Sequence, residues 1–459
     1  MAARRLPNDQ LAALLTEADW SAGELARAVN ALGSKNGLRL RYDRTAVAHW
    51  LDGSRPRRPV PDLVAQALSI RIGRTVTAAE TGLVRNHRAD PLHRVPPAVS
   101  DPVQRLLALC QADTEPARRA VINRTVFITM TPQAVVWDDT EPPRPGAGLP
   151  GATARRVAAM AEVFADLTER YGGGHARTCL VHYITDEVGP LLQGTVRTSP
   201  DTIEGAGLGA VAHLAHRLGR MTVDAHLPNL AYQYHRVALD LARQAHDRTT
   251  WAVTLGALSS LAHQLDHVAH ATQWAQAALD ASGPDTPPHV RAFLHATRAV
   301  ALARGNQRSR AMADLAAAEP AQAMDSIPEA SSASLELVSA LHHHRAETLL
   351  ILGDQHGAVD ALTSCLHSRT PEHHRAIAIT HAKLAEVLLA TGAVDAAISH
   401  CRECVDHYAH LNSSRARQAL QVLYQSLSPY RRHRHVREVR QLIRQLVRDE
   451  GKPSPRRAP

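Results

Sequence analysis

From about residue 152 to residue 449, apolar residues return every three to four positions. They form stretches of helical length separated by short polar or glycine-bearing breaks. That period marks one face of an α-helix. The breaks fall near Ala225, Asp266, Gly305, Gly353, Gly392 and Pro429, at spacings of 41, 39, 48, 39 and 37 residues. The long interval contains AEPAQAMDSIPEASS, read as a loop insertion. The segments VALARGNQRSRAMADLAAA, LLILGDQHGAVDALTSCL and VLLATGAVDAAISHCREC share one plan: an apolar helix, a glycine turn, a few polar residues, then alanine at helical spacing. Glycine ends helices because it adopts positive φ at little cost, and alanine lets neighbouring helices approach closely. A unit recurring at this length predicts a solenoid of stacked helix pairs. Residues 152–200 are expected to form one more, degenerate pair, with YGGGH (171–175) as its turn.

The first 83 residues follow a different plan. A helix is expected over Asn8–Glu17. Ser21 can cap a second, with Glu24 three residues on completing a capping box and Leu25, Val29 and Leu32 turned inward. Asp43 can cap a third over Arg44–Leu51. It would bury Val47, Trp50 and Leu51, expose Arg44, Thr45, Ala48 and His49, and stop at Gly53. Pro61 opens a fourth, with Leu63, Ala67, Leu68 and Ile72 inward. Residues 84–100 hold three prolines and read as a linker. Short helices over Asp101–Ala112 and Glu115–Arg124 lead to the Pro/Gly-rich EPPRPGAGLPG. The expected organisation is an all-α chain: a helix-turn-helix domain over 1–83, a linker with short helices over 84–150, helical repeats over 151–449, and a disordered tail over 450–459.

Composition supports this. With 44% hydrophobic residues, the 459-residue chain can bury a core, but 3% aromatic residues are few for a β-sandwich or barrel. Five cysteines make no disulfide framework. The start, MAARRLPNDQ, has no apolar segment behind its arginines, and no apolar run approaches the length of a membrane span. A soluble, cytoplasmic, nucleoid-associated protein is the expectation. The net charge of +8 is unevenly placed: residues 1–75 carry +5, residues 430–459 carry +7, and the remainder sums to −4. All basic residues but Lys35, Lys383 and Lys452 are arginine, a bias that GC-rich coding produces without selection for nucleic acid.

Two resemblances sharpen the expectation. Residues 201–447 resemble tetratricopeptide repeats in their turns and small-residue positions, lengthened from about 34 residues per unit. Residues 6–83 are similar to the lambda-repressor-like (Xre) helix-turn-helix. The resemblance is carried by Glu24-Leu25-Ala26, Val47, Trp50, Gly53 and the Pro-started helix ending near Gly73. A longer connection, LGSKNGLRLRY, stands where the family has its tight turn. The resemblance implies that the third helix enters the DNA major groove, with Arg44, Thr45, Ala46 and His49 at base edges. Lys35, Arg39, Arg41, Arg55, Arg57 and Arg58 would then neutralise phosphates. The alternative is a protein-interaction domain with a solvated charged face.

Together, RYDRTAVAHWLDGSRPRRPVPDLVAQAL and LAYQYHRVALDLARQAHDRTTWAV give the chain a resemblance to actinomycete regulators that pair an Xre-type domain with tetratricopeptide-like repeats. Some of these repress sporulation and antibiotic production. The resemblance implies a homodimeric repressor on double-stranded DNA with a peptide or protein effector on the concave repeat face. A repeat-based scaffold that does not bind DNA is the competing expectation. The effector-binding residues are not identified by the sequence.

Other chemistry is thin. Cys401-Arg-Glu-Cys404 with His407 is a single CxxC without a second pair, better explained by small residues packed between helices than by zinc. His342-His343-His344 would point three ways from a helix, and His263 and His267 straddle a turn. Tyr171-Gly-Gly-Gly-His175 lacks the GK[ST] of a phosphate loop, and Arg118-Arg119 lies too deep in the chain for an export signal. No G-x-S-x-G, HExxH, dinucleotide-binding or kinase motif occurs, so no catalytic activity, cofactor or metal is expected.

Overall fold

The computed structural model describes residues 7–35, 40–57, 60–72, 76, 80–83, 101–124, 135–137, 149, 151–194, 206–319 and 332–449. Among them the secondary structure is helical, with no strand. The chain divides into two compact units: residues 1–98 with 115–135, and residues 99–114 with 136–459.

In the first unit, α1 (Asp9–Glu17), α2 (Ala22–Lys35), α3 (Arg44–Leu51) and α4 (Val60–Ile72) enclose one core. Leu11, Leu25, Val29, Val47, Val64 and Leu68 lie at its centre, with Trp50 beside them. The caps are those the side chains dictate. Ser21 and Glu24 form the reciprocal capping box, with the Ser21 N–H donating to Glu24 Oε2 at 2.7 Å. Asp43 Oδ1 accepts from the Ala46 N–H at 2.9 Å. At Gly53, φ is 87°, and the N–H groups of Gly53 and Ser54 return to the carbonyls of Trp50 and His49, closing α3 with a Schellman turn. The long α2–α3 connection is tied at its far end. The Asn30 amide donates to the Tyr42 carbonyl at 2.7 Å and accepts from the Tyr42 N–H at 2.9 Å, and Tyr42 packs edge-on to Trp50. The helix α6 (Pro116–Arg124) groups with this unit.

The second unit begins with α5 (Pro102–Thr114), then α7 (Gly151–Tyr171) and α8 (Gly173–His182). The helix α8 runs through a π-helical turn (Tyr183–Val188) into α9 (Gly189–Gly194). The segment read as a linker thus supplies α5 to the second core: Leu106 and Cys110 are buried, and the buried Asp113 accepts hydrogen bonds from Arg177 and Tyr234. Six pairs follow: α10 (Ala206–Asp224) with α11 (Pro228–Gln244), α12 (Arg248–Gln264) with α13 (Val268–Ala281), and α14 (Pro288–Arg304) with α15 (Arg308–Ala318). Then come α16 (Ser332–Ile351) with α17 (Gln355–His367), α18 (His374–Ala390) with α19 (Val394–Tyr408), and α20 (Ser414–Ser426) with α21 (Arg434–Asp449). Among the described residues the chain is therefore all-α, a four-helix amino-terminal domain followed in sequence by an α-solenoid of tetratricopeptide-like pairs.

The turns inside the first five pairs repeat one geometry. In each, a residue with positive φ follows the helix: His226 (61°), Asp266 (63°), Asn306 (58°), Gly353 (86°) and Gly392 (82°). The next residue's N–H bonds back to the helix, as from Leu227 to the Thr222 carbonyl and from Asp354 to the Leu349 carbonyl. His246 (53°) does the same between α11 and α12. At the third pair, Gly305 itself stays at φ −76°, and Asn306 takes the left-handed position. Asparagine and aspartate tolerate that region better than most residues. The loop AEPAQAMDSIPEASS and the tail 450–459 lie at or beyond the edges of the described residues.

Candidate functional site

The first helix of every pair, α10, α12, α14, α16, α18 and α20, contributes to one cavity of about 360 Å³, together with α7, α11 and α17. These helices converge because the solenoid curls until its early and late members touch. The lock is a set of charges with almost no exposure. Asp224, at the end of α10, is 0% exposed. Its Oδ1 accepts from Arg375 Nε of α18 at 2.6 Å and from the Ser413 hydroxyl ahead of α20 at 2.9 Å. Its Oδ2 accepts from the Gly173 N–H at 2.7 Å, so one carboxylate also caps α8, where the helix dipole favours negative charge. Arg375 reaches on to Glu169 of α7 at 2.9 Å. Arg217 and Arg220 of α10 both pair with Glu336 of α16.

The YGGGH turn closes the same seam. The Asn412 N–H donates to the Tyr171 carbonyl at 2.7 Å, and the Gly174 N–H to the Asn412 carbonyl at 3.0 Å. A Cβ on Gly172 or Gly174 would sit 2.6 or 2.8 Å from the Asn412 oxygen, and one on Gly173 would sit 2.7 Å from the Met221 oxygen. The three glycines are there because backbone meets backbone.

Inside, the cavity is polar at several points. His235 is 0% exposed and neither ring nitrogen has a hydrogen-bond partner. Its ring lies on Gly219, where a Cβ would come within 2.6 Å of it. Burial, then Arg220, pushes its pKa down to about 3, so it is a neutral imidazole with one donor and one acceptor. His343 and His344 also face the cavity and are lowered by burial to about 3 and about 4. Glu347 accepts from or shares a proton with His263 Nε2 at 2.9 Å; burial opposes its charge, but the neighbouring histidines hold the carboxyl far below its ordinary range. Lys383 pairs with Glu386 at 3.2 Å. Arg369 and Arg415 line the wall. Arg369 has only Cys365 Sγ, at 3.4 Å, as an acceptor, and its Nε has none. Arg415 makes no hydrogen bond or ion pair among the described residues. The exposed Gln264, Gln418 and Val422 mark the mouth.

Of these cavity residues, only His263, His343 and His344 stand out in the sequence, as members of histidine pairs or runs with no metal-binding spacing. A run of three histidines does not point three unrelated ways: His342 is buried, while its two neighbours share the cavity wall. Cys401 and Cys404 lie in the α18–α20 core with Leu420 and Leu423, and burial raises both thiols, Cys401 to about 12. His407 turns instead to His374, Nδ1 to Nδ1 at 2.8 Å. No group of three potential metal ligands occurs among the described residues.

In the first unit, Arg44, Thr45 and His49 are exposed on α3, as are Arg41, Arg55 and Arg57 nearby. Ala46 is half-buried and packs against the core beneath α3. Arg39 and Arg58 and the side chain of Lys35 lie outside the described residues.

The fold and cavity define the chain as a helical-repeat protein with an added amino-terminal helical domain. Residues 11–84 match the family model of the SP15 N-terminal domain. A solved structure, a Rap protein complexed with competence and sporulation factor, is similar at a TM-score of 0.38 and 12% identity, covering 65% of this chain and 99% of that one. No curated protein matches the sequence. No helix among the described residues is long and apolar enough to cross a membrane.

Proposed function

We propose that this chain is a helical-repeat interaction protein whose concave cavity receives a small ligand or the end of a peptide or protein segment. The observation that carries the reading is the cavity itself. It is built from the first helix of all six pairs and holds a fully buried, unpartnered histidine. Ligand sites are concave, largely preformed, and carry a few placed polar groups. No catalytic role is proposed. The test blocks the space without touching the charges. Ala340 lines the cavity, and Ala340→Trp would fill it. Affinity capture from cell extract with wild type and variant, at equal thermal stability and with mass spectrometry of co-purified small molecules as well as proteins, should yield occupants that the variant loses. Identical sets of small molecules and proteins would refute the reading.

A second reading makes the first unit a DNA-reading output, favoured by the exposed Arg44, Thr45 and His49 on a capped helix flanked by Arg41, Arg55 and Arg57. The resemblance of residues 6–83 then implies a homodimeric repressor of differentiation or secondary metabolism, including sporulation and antibiotic production, gated by the repeat ligand. Genome-wide occupancy of wild type beside an Arg44→Ala, His49→Ala variant tests it. Sharp peaks lost in the variant support DNA reading, and no enrichment in either removes it.

A further inference from the structure

The charges that line the cavity narrow what it can hold, on the footing that the cavity is a binding site as proposed above. Each lining carboxylate already has a direct partner. Glu169 has Arg375, Glu336 has Arg217 and Arg220, Glu347 has His263, and Glu386 has Lys383. The cations are not matched in the same way. Arg369 donates only to a thiol sulfur, a weak acceptor, and its Nε is buried without an acceptor. Arg415 has no direct partner, and burial together with Arg375 works against its charge, which Asp224 and Glu347 offset from a distance. Arg369 and Arg415 both line the cavity wall. Burial disfavours the charged form of His235, His343 and His344. A desolvated guanidinium without a carboxylate is costly, and its planar fork matches a carboxylate or phosphate bidentately.

We infer that the cavity takes a small ligand carrying an oxyanion, a carboxylate or phosphate, bound by Arg369 and Arg415. At about 360 Å³ the space lies near the lower end for ligand pockets. It suits a small acid or the carboxyl terminus of a peptide and excludes a folded domain.

The test is calorimetric titration of the full chain at constant ionic strength with inorganic phosphate, citrate, tri-alanine, tri-alanine amide and glucose. Wild type should bind at least one of the three anions saturably. Arg369→Gln, Arg415→Gln should weaken that binding at least about tenfold, and Arg415→Lys, which keeps the charge and loses the fork, should fall between them. Comparable unfolding midpoints without ligand show that the variants fold. Citrate or phosphate binding identifies a free acid as the source; binding of tri-alanine but not its amide identifies a peptide terminus. No saturable anion binding at millimolar concentration overturns the inference. So does binding of glucose or the amide that survives both arginine changes but is lost in Ala340→Trp, which leaves the cavity reading intact. Anion binding that survives every variant overturns both.

Discussion

Asp224 is the residue on which the closed form of the solenoid depends. The informative change is Asp224→Asn, which keeps the shape and removes the charge. The native carboxylate accepts from Arg375 Nε, the Ser413 hydroxyl and the Gly173 N–H at 2.6–2.9 Å, with no exposure to water. An asparagine has one acceptor oxygen, so at least one of these donors would face an NH₂ group. Arg375 would keep only Glu169, at 2.9 Å. Removing one member of a buried ion pair costs about 3–5 kcal/mol when the partner charge is left uncompensated, and the Glu169 contact that Arg375 keeps places Asp224→Asn toward the lower end of that range. At roughly 2–4 °C per kcal/mol for large domains, the unfolding midpoint should fall by about 6–20 °C. Circular dichroism on the full chain reads this. Hydrogen exchange should speed up at Gly173, Gly174 and Asn412, whose N–H groups hold the seam. Arg375→Met added to Asp224→Asn should cost less than the two changes summed, since each single change strands the other's charge. A midpoint unchanged in Asp224→Asn, with the seam amides as protected as before, would refute the reasoning.

Acid should destabilise the second unit. His235 titrates near 6.5 when unfolded but is held to about 3 when folded. The unfolded state therefore binds the extra proton as pH falls below about 6.5, and stability present above that value is lost toward 3. From pH 6.5 to 4.5 this residue accounts for about 2–3 kcal/mol; urea titrations at the two pH values should show the loss, and His235→Leu should remove its share. Equal losses in both proteins would count against it. Gly353→Ala tests the turn geometry. Open space surrounds Gly353, so only its φ of 86° resists a side chain, and the cost should be about 1–2 kcal/mol; a neutral result in urea unfolding would contradict the left-handed assignment.

The parts of this fold that the amino-acid sequence discloses are those set by local rules. The six breaks fall on the six intra-pair connections because a helix end needs a left-handed residue and polar positions, both local. Even so, glycine marks only some of them, since His226, Asp266 and Asn306 take the same conformation. The caps at Ser21, Asp43 and Gly53 are legible for the same reason. The cavity is not. Arg217, Arg220, Arg375 and Arg415 stand on amphipathic helices as ordinary polar positions and read as solvated faces. Only the curl of the solenoid, a property of non-local packing, turns them inward. The glycines of YGGGH announce a turn, whereas their further requirement, the approach of Asn412, lies far along the chain. On α3, the apolar spacing puts Val47 and Trp50 inside and Arg44, Thr45, Ala48 and His49 outside, and Ala46 lies half-buried at the edge between the two faces.

The seam around Asp224 also changes how the chain can be cut. In an open helical array each unit answers only to its neighbours, and shortening it from one end removes stability unit by unit. Here Ser413 and Arg375 hold the end of α10 and the turn after α7. A truncation before residue 375 would strip support from helices at the opposite end, and the remainder should melt as a weakened whole. The linear repeat has been made into a clasped ring, and a clasp fails all at once.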